Sequence, residues 1–190
     1  MLGERVVVKM AEKGVVMKPD MLTNRNVQIA DNLRRLPRKM LQLHGLENVT
    51  DFVLHELCSK DCFDIPKAAY FVENPAFNCL KGIVGVSNQE LQGIENIWGN
   101  PDPFIQAITQ SLFHQKVRSF HYESHKNRGH SPEEMSKIIA QELGFGNYSF
   151  YAWDMKHDNH GLLVCEKDGQ DHSQDVLVDG FSLLGFCPIY

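Results

Sequence analysis

The sequence predicts an α+β domain. Its antiparallel sheet or sheets come from an N-terminal hairpin, from residues 68–87 and from a C-terminal meander, with about four or five helices packed against them. Three observations carry that expectation. β-forming runs stand at both ends of the chain and over 68–87, helical periodicity fills the stretches between, and the regular strand-helix alternation of a parallel sheet is missing. A chain of 190 residues, 43% hydrophobic and 23% charged, can bury one core, so 1–190 is expected to form a single globular domain.

Val6-Val7-Val8 and Val15-Val16-Met17 flank Glu12-Lys13-Gly14, where glycine supplies the positive φ of a tight reversal, and this predicts the hairpin. After Pro19, Val27, Ile29, Ala30, Leu33, Leu36, Met40, Leu41 and Leu43 recur near helical spacing, with Pro37 as a kink or break and Gly45 as a stop. A second helix is expected from about Val49 to Cys58, started by Asn48 or Thr50.

Residues 68–87 are rich in β-formers and are split at Asn74-Pro75 into two strands. Ser87-Asn88-Gln89-Glu90 has the spacing of a capping box, which predicts a short helix to about Trp98. Asp102-Pro103 then opens one long helix over roughly 103–124. Ser131-Pro132-Glu133-Glu134 combines cap, first-turn proline and returning carboxylate, and the helix it starts is expected to stop at Gly144. Beyond it, aromatic and β-branched runs broken at Asn159, Asp168-Gly169 and Asp179-Gly180 predict a meander of three or four strands.

A net charge of −5 and a pI near 6.0 argue against a nucleic-acid coat. The N-terminus has no secretion-signal pattern, and no apolar run approaches the roughly 20 residues of a membrane span, so the expected setting is cytoplasmic, without a membrane partner. Five cysteines at 58, 62, 79, 165 and 187 do not form a paired framework and fit a reducing compartment.

The chemistry-bearing residues cluster in FHQKVRSFHYESHKNRGH, residues 113–130, which holds four of the nine histidines. On one continuous helix, positions 114, 121 and 125 fall within roughly 40° of one another, and His121 and His125 are one turn apart, a spacing that suits two imidazoles on one divalent ion. Glu123 lies on another side, so HYESH is not the HExxH arrangement of zinc peptidases. His157-Asp158-Asn159-His160 reads as a hairpin tip. If it met His121 and His125, then His121, His125, His157 and His160 could ligate zinc, iron or manganese, with Asp158 as a further ligand or orienting group. Lys126 and Arg128 would hold an anionic substrate group.

Cys79, after a turn and before an apolar strand, is the candidate nucleophile, with an inert core cysteine as its plainer reading. In HELCSKDC, His55, Cys58 and Cys62 would share a face if the helix reached Cys62; two cysteines tucked against a neighbour is the simpler expectation. Arg34-Arg35-Leu36-Pro37-Arg38-Lys39 forms a basic patch for an acidic partner or a phosphate.

Three functions follow: a metal-assisted hydrolase-type enzyme on a small or anionic substrate, a non-catalytic protein-binding or regulatory domain, and a phosphate or nucleic-acid binder. Without the metal, no cofactor is expected. The partner is a small molecule or a protein.

Overall fold

The computed structural model describes residues 19–43, 48–124, 129–166 and 174–187. The expected hairpin over 6–17 lies outside the described residues, as do Gly45, Asp168 and Gly169.

Helix α1 spans Pro19–Gln42 and runs through Pro37 without a break. Ile29, Leu36 and, just beyond the helix, Leu43 are buried along one side at helical spacing. Helix α2 covers Val49–Cys58, as the sequence predicts, with Asn48 at its N-cap. It stops at Cys58 and does not reach Cys62. Ser59 leaves the helix in extended conformation, and a tight turn returns the Asp64 N–H to the Ser59 carbonyl at 2.9 Å.

Strands β1 (Lys67–Asn74) and β2 (Cys79–Ser87) form the expected pair, joined by a 3-10 turn over Pro75–Phe77 in which the Asn74 side chain accepts from the Phe77 N–H. Helix α3 is Pro101–Gln110, α4 is Leu112–Arg118, and β3 is the two residues His121–Tyr122. Helix α5 covers Pro132–Leu143 with a complete Ser131/Glu134 capping box and Gly144 in the left-handed conformation at φ 68°, as expected. Strands β4 (Tyr148–Asp154) and β5 (His160–Glu166) follow, and helix α6 (Gln174–Ser182) runs into a 3-10 turn at Leu183–Phe186.

All strand pairs are antiparallel, in the order β3-β2-β1-β5-β4. One face of the sheet carries Tyr70, Val72, Val84 and Leu163 against α1, α2, α3 and α6; the other carries Ala69, Phe71, Leu80 and Val164 against α4 and α5. Burial on both faces explains why β1 reads as a near-continuous apolar run.

Three expectations fail, each because a distant contact outranks a local pattern. The helix over 87–98 is a series of turns, because the Glu90 carboxylate accepts from the Ser111 hydroxyl (2.6 Å) and the Phe113 N–H (3.2 Å) at the start of α4 instead of closing a box on Ser87. The helix over 103–124 breaks at Ser111, whose hydroxyl caps α4 by accepting from the His114 N–H. The last strands of the meander are helix α6, where Leu177, Phe181 and Leu184 are buried at helical spacing and the Phe63 ring comes within 2.7 Å of the place a Cβ on Gly180 would take.

Candidate functional site between α2, β2 and α4

The break at Ser111 dissolves the histidine stripe. His114 stays on α4, whereas His121 sits exposed in β3 opposite Lys81. His125, Lys126 and Arg128 lie outside the described residues. His157 and Asp158 occupy the exposed turn between β4 and β5 at φ 62° and 57°, a left-handed reversal that short polar side chains tolerate. Cys79 opens β2 opposite Asn74, partly exposed. Among the described residues, no group of three or more His, Cys, Asp or Glu could hold a metal ion.

Cys58, Cys62, Cys165 and Cys187 are core residues. Burial pushes the Cys58 thiol well up and those of Cys62, Cys165 and Cys187 to about 12, so all four are held as thiols, not thiolates. The basic patch divides: Leu36 is buried, Lys39 is paired with Glu56 at 2.6 Å, and Arg34 with Asp31 at 2.9 Å. Glu56 also accepts from the Trp98 indole N–H at 2.8 Å, which ties α1, α2 and the loop before α3 together.

Strand register does bring one expected residue into company. Glu73 pairs across with His160 and His160 with Asp154, so the three form one row on the α4/α5 face of the sheet. Asp154 holds the His160 ring at 2.8 Å through Nδ1, and the Ser124 hydroxyl donates to the wholly buried Glu73 carboxylate. His121 is on the opposite face, because its neighbour Tyr122 packs on the α5 side.

The more unusual constellation lies at the outer side of β2. Register with β1 jumps from Tyr70↔Val84 to Phe71↔Gly82, leaving Ile83 as the extra residue of a bulge. Its carbonyl accepts from Arg118 Nη1 at 3.1 Å. Helix α4 can come close enough for that bond because β2 has no side chains in the way: a Cβ on Gly82 would stand 1.9 Å from the Val117 carbonyl oxygen, and one on Gly85 2.6 Å from Val117 Cγ2.

Each helix brings a pair of polar groups one turn apart, Asp51 and His55 from α2, His114 and Arg118 from α4. Burial pushes the Asp51 carboxyl up to about 7, against the pull of the nearby Arg118 charge. Burial also lowers the His55 pKa, with Glu56 acting the other way. His114 is lowered first by burial and then by Arg118, while a hydrogen bond with the Gly85 backbone offsets part of the change. The His55 ring packs edge-on against Phe104 of α3 at 4.9 Å. His55 Nδ1 and His114 Nδ1 are both shut off from solvent and have no hydrogen-bond partner among the described residues.

Arg118 of α4 acts on the Asp51 carboxyl of α2, and each helix adds an imidazole of lowered pKa with an idle nitrogen; such groups can both give and accept hydrogen bonds. Sequence reasoning grouped His55 with Cys58 and Cys62 and His114 with His121 and His125, and it missed Asp51. The one-turn spacings 51/55 and 114/118 were the available signal, but nothing local says that the two turns address the same strand.

No family model and no curated protein matches this chain. Among solved structures, the GAF domain from a phosphoenolpyruvate-protein phosphotransferase (ptsP) of Coxiella burnetii is similar at 11% identity and a TM-score of 0.49, over 85% of this chain and 92% of that one.

Proposed function

We propose that this chain is a non-catalytic regulatory domain that binds a small, singly charged anionic molecule between α2, the outer side of β2 and α4. The observation that carries the reading is the pair of idle, buried imidazole nitrogens, His55 Nδ1 and His114 Nδ1. Buried polar atoms without partners are rare in folded proteins because each costs about 1–3 kcal/mol, and a ligand that supplies both partners recovers that cost. Arg118 is anchored through Nη1 on Ile83, which leaves its other nitrogens to meet an anion. Asp51, with its carboxyl raised to about 7, is partly protonated at neutral pH and repels that anion less than an ordinary aspartate would.

Binding is favoured over turnover because the four buried thiols are held protonated and His160, the expected metal ligand that gains a carboxylate neighbour, is engaged by Asp154. The hydrolase expectation gathers no support from the described residues.

The test is a thermal-shift and calorimetric titration of acetate, benzoate and inorganic phosphate at neutral pH, on the wild type and on a His55→Phe/His114→Phe double variant that keeps ring volume. The expected result is saturable stabilisation of the wild type by at least one anion, absent in the double variant. Equal responses in both proteins, or no response in the wild type, would remove the reading.

A further inference from the structure

Among the described residues β4 is an outer strand of the sheet and pairs with β5 alone. Its seven residues, YSFYAWD, hold register with β5 throughout, without a bulge, without proline and without lysine. Bulges, prolines and lysines are among the devices by which natural sheets discourage strand addition, and β4 has none of the three.

The direction of its backbone groups can be read from the hairpin. The Met155 N–H donates to the Asn159 carbonyl at 2.8 Å, on the side of β5. Antiparallel ladders alternate, so Ser149, Tyr151 and Trp153 also face β5, and Tyr148, Phe150, Ala152 and Asp154 turn their N–H and C=O groups outward. No described residue hydrogen-bonds to that outward row. Ser149, Ala152 and Trp153 keep partial exposure, which leaves the edge reachable between the helical layers.

We propose that the outer edge of β4 pairs, antiparallel and about a two-fold axis through Tyr151, with β4 of a second copy of this chain. The outward residues fix this register. Hydrogen-bonded pairs must join outward residues of both copies, and full overlap of the strand then sets Tyr148 opposite Asp154 and Phe150 opposite Ala152. Asp154 is the strand's single charge and falls opposite a tyrosine, so no like charges meet. The pairing closes on itself and joins the two sheets into one continuous sheet.

Sedimentation velocity of the full chain over a range of concentrations tests it, alongside Ala152→Pro, Tyr148→Glu and Tyr148→Lys. The Ala152 N–H faces outward, so proline there removes a donor to the second copy and none to β5. The wild type is expected to associate to a dimer, and Ala152→Pro to weaken that dimer about tenfold or more with an unchanged far-UV circular dichroism spectrum. Tyr148→Glu, facing the second copy's Asp154, weakens it as well, whereas Tyr148→Lys preserves or tightens it. Should Ala152→Pro fail to fold, the opposite effects of Glu and Lys at 148 decide. A wild type that stays monomeric throughout, or a dimer indifferent to all three substitutions, overturns the proposal.

Discussion

At the β2 edge the ladder is closed by three devices: the two residues of β3, a bulge whose free Ile83 carbonyl is taken by Arg118, and helix α4 lying directly across Gly82 and Gly85. At the β4 edge seven residues run in unbroken register, and among the described residues nothing hydrogen-bonds to their outer side. The contrast shows where this fold concentrates its polar chemistry. Closing an edge with helices brings side chains from two layers to one strand, and burial displaces the ionisation of Asp51, His55 and His114 on those helices. The open edge presents an outward row of backbone groups and suits a backbone partner.

The largest effect follows from opening the closed edge. Gly82→Ala places a methyl 1.9 Å from the Val117 carbonyl, a backbone atom that cannot swing aside. α4 must lift off β2, and the expected loss is about 3 kcal/mol or more, read as a fall in the urea midpoint. It also frees Arg118 from Ile83 and so abolishes anion binding. A Gly82→Ala protein as stable as the wild type would mean that α4 does not lie on the strand as described.

Asp51 gives the next effect, and its sign is fixed. Its carboxyl titrates at about 7 in the fold, against 3.8 for an unperturbed aspartate. The folded state therefore binds more protons between those values, and this group's contribution to stability, complete below about pH 4, is lost as pH rises through about 7. His55 and His114, both lowered, act in the opposite sense: their contribution is complete above about 6.5 and falls away as pH drops below it. Arg118 from α4 and Cys187 after α6 are the other groups that sense Asp51. Asp51→Asn isolates the carboxylate. Its stability relative to the wild type should grow by roughly 1–3 kcal/mol between acid and mildly alkaline pH, measured by urea titration across the range. A difference independent of pH would place Asp51 in water.

Arg118→Met sharpens the comparison further. It leaves the bulge carbonyl of Ile83 without its donor at a cost of about 1–2 kcal/mol, and it should raise the Asp51 pKa above its wild-type value, because the guanidinium is the charge holding it down. Carboxyl titration by NMR reads that shift, which a purely mechanical role for Arg118 would not produce.

The elements legible in the sequence are those whose signals are local. Ser131 to Glu134 and Gly144 bound α5 as expected, and Asn74-Pro75 divides β1 from β2. Glu90 shows why other signals mislead: its spacing from Ser87 is right for a capping box, yet its carboxylate serves α4 across a gap of more than twenty residues. Ser111 breaks the long helix for the same reason, since a hydroxyl that can cap gains a distant acceptor. The candidate site was half legible. The turns at 51/55 and 114/118 can be read off the chain, but their meeting depends on the bulge at Ile83 and on two glycines in β2, and a bulge is a property of two strands in register, not of either alone.

The smallest effect belongs to the open edge, and it is the most discriminating. Proline at 151 would remove an N–H that faces β5 and is paired opposite Leu163, with an expected loss of about 3 kcal/mol. Proline at 152, one residue on, removes an N–H that faces outward, so the isolated chain should lose less than about 1 kcal/mol, and α5 should remain seated on Phe150 and Leu162. Measured by urea unfolding at a concentration low enough to keep the chain monomeric, the ratio of the two costs reports the direction of each backbone group. Equal costs would mean that β4 is covered on its outer side, and the asymmetry between the two edges would disappear. A large cost at 151 and a small one at 152 would establish that β4 is held from one side alone, which is the condition any strand added from outside requires.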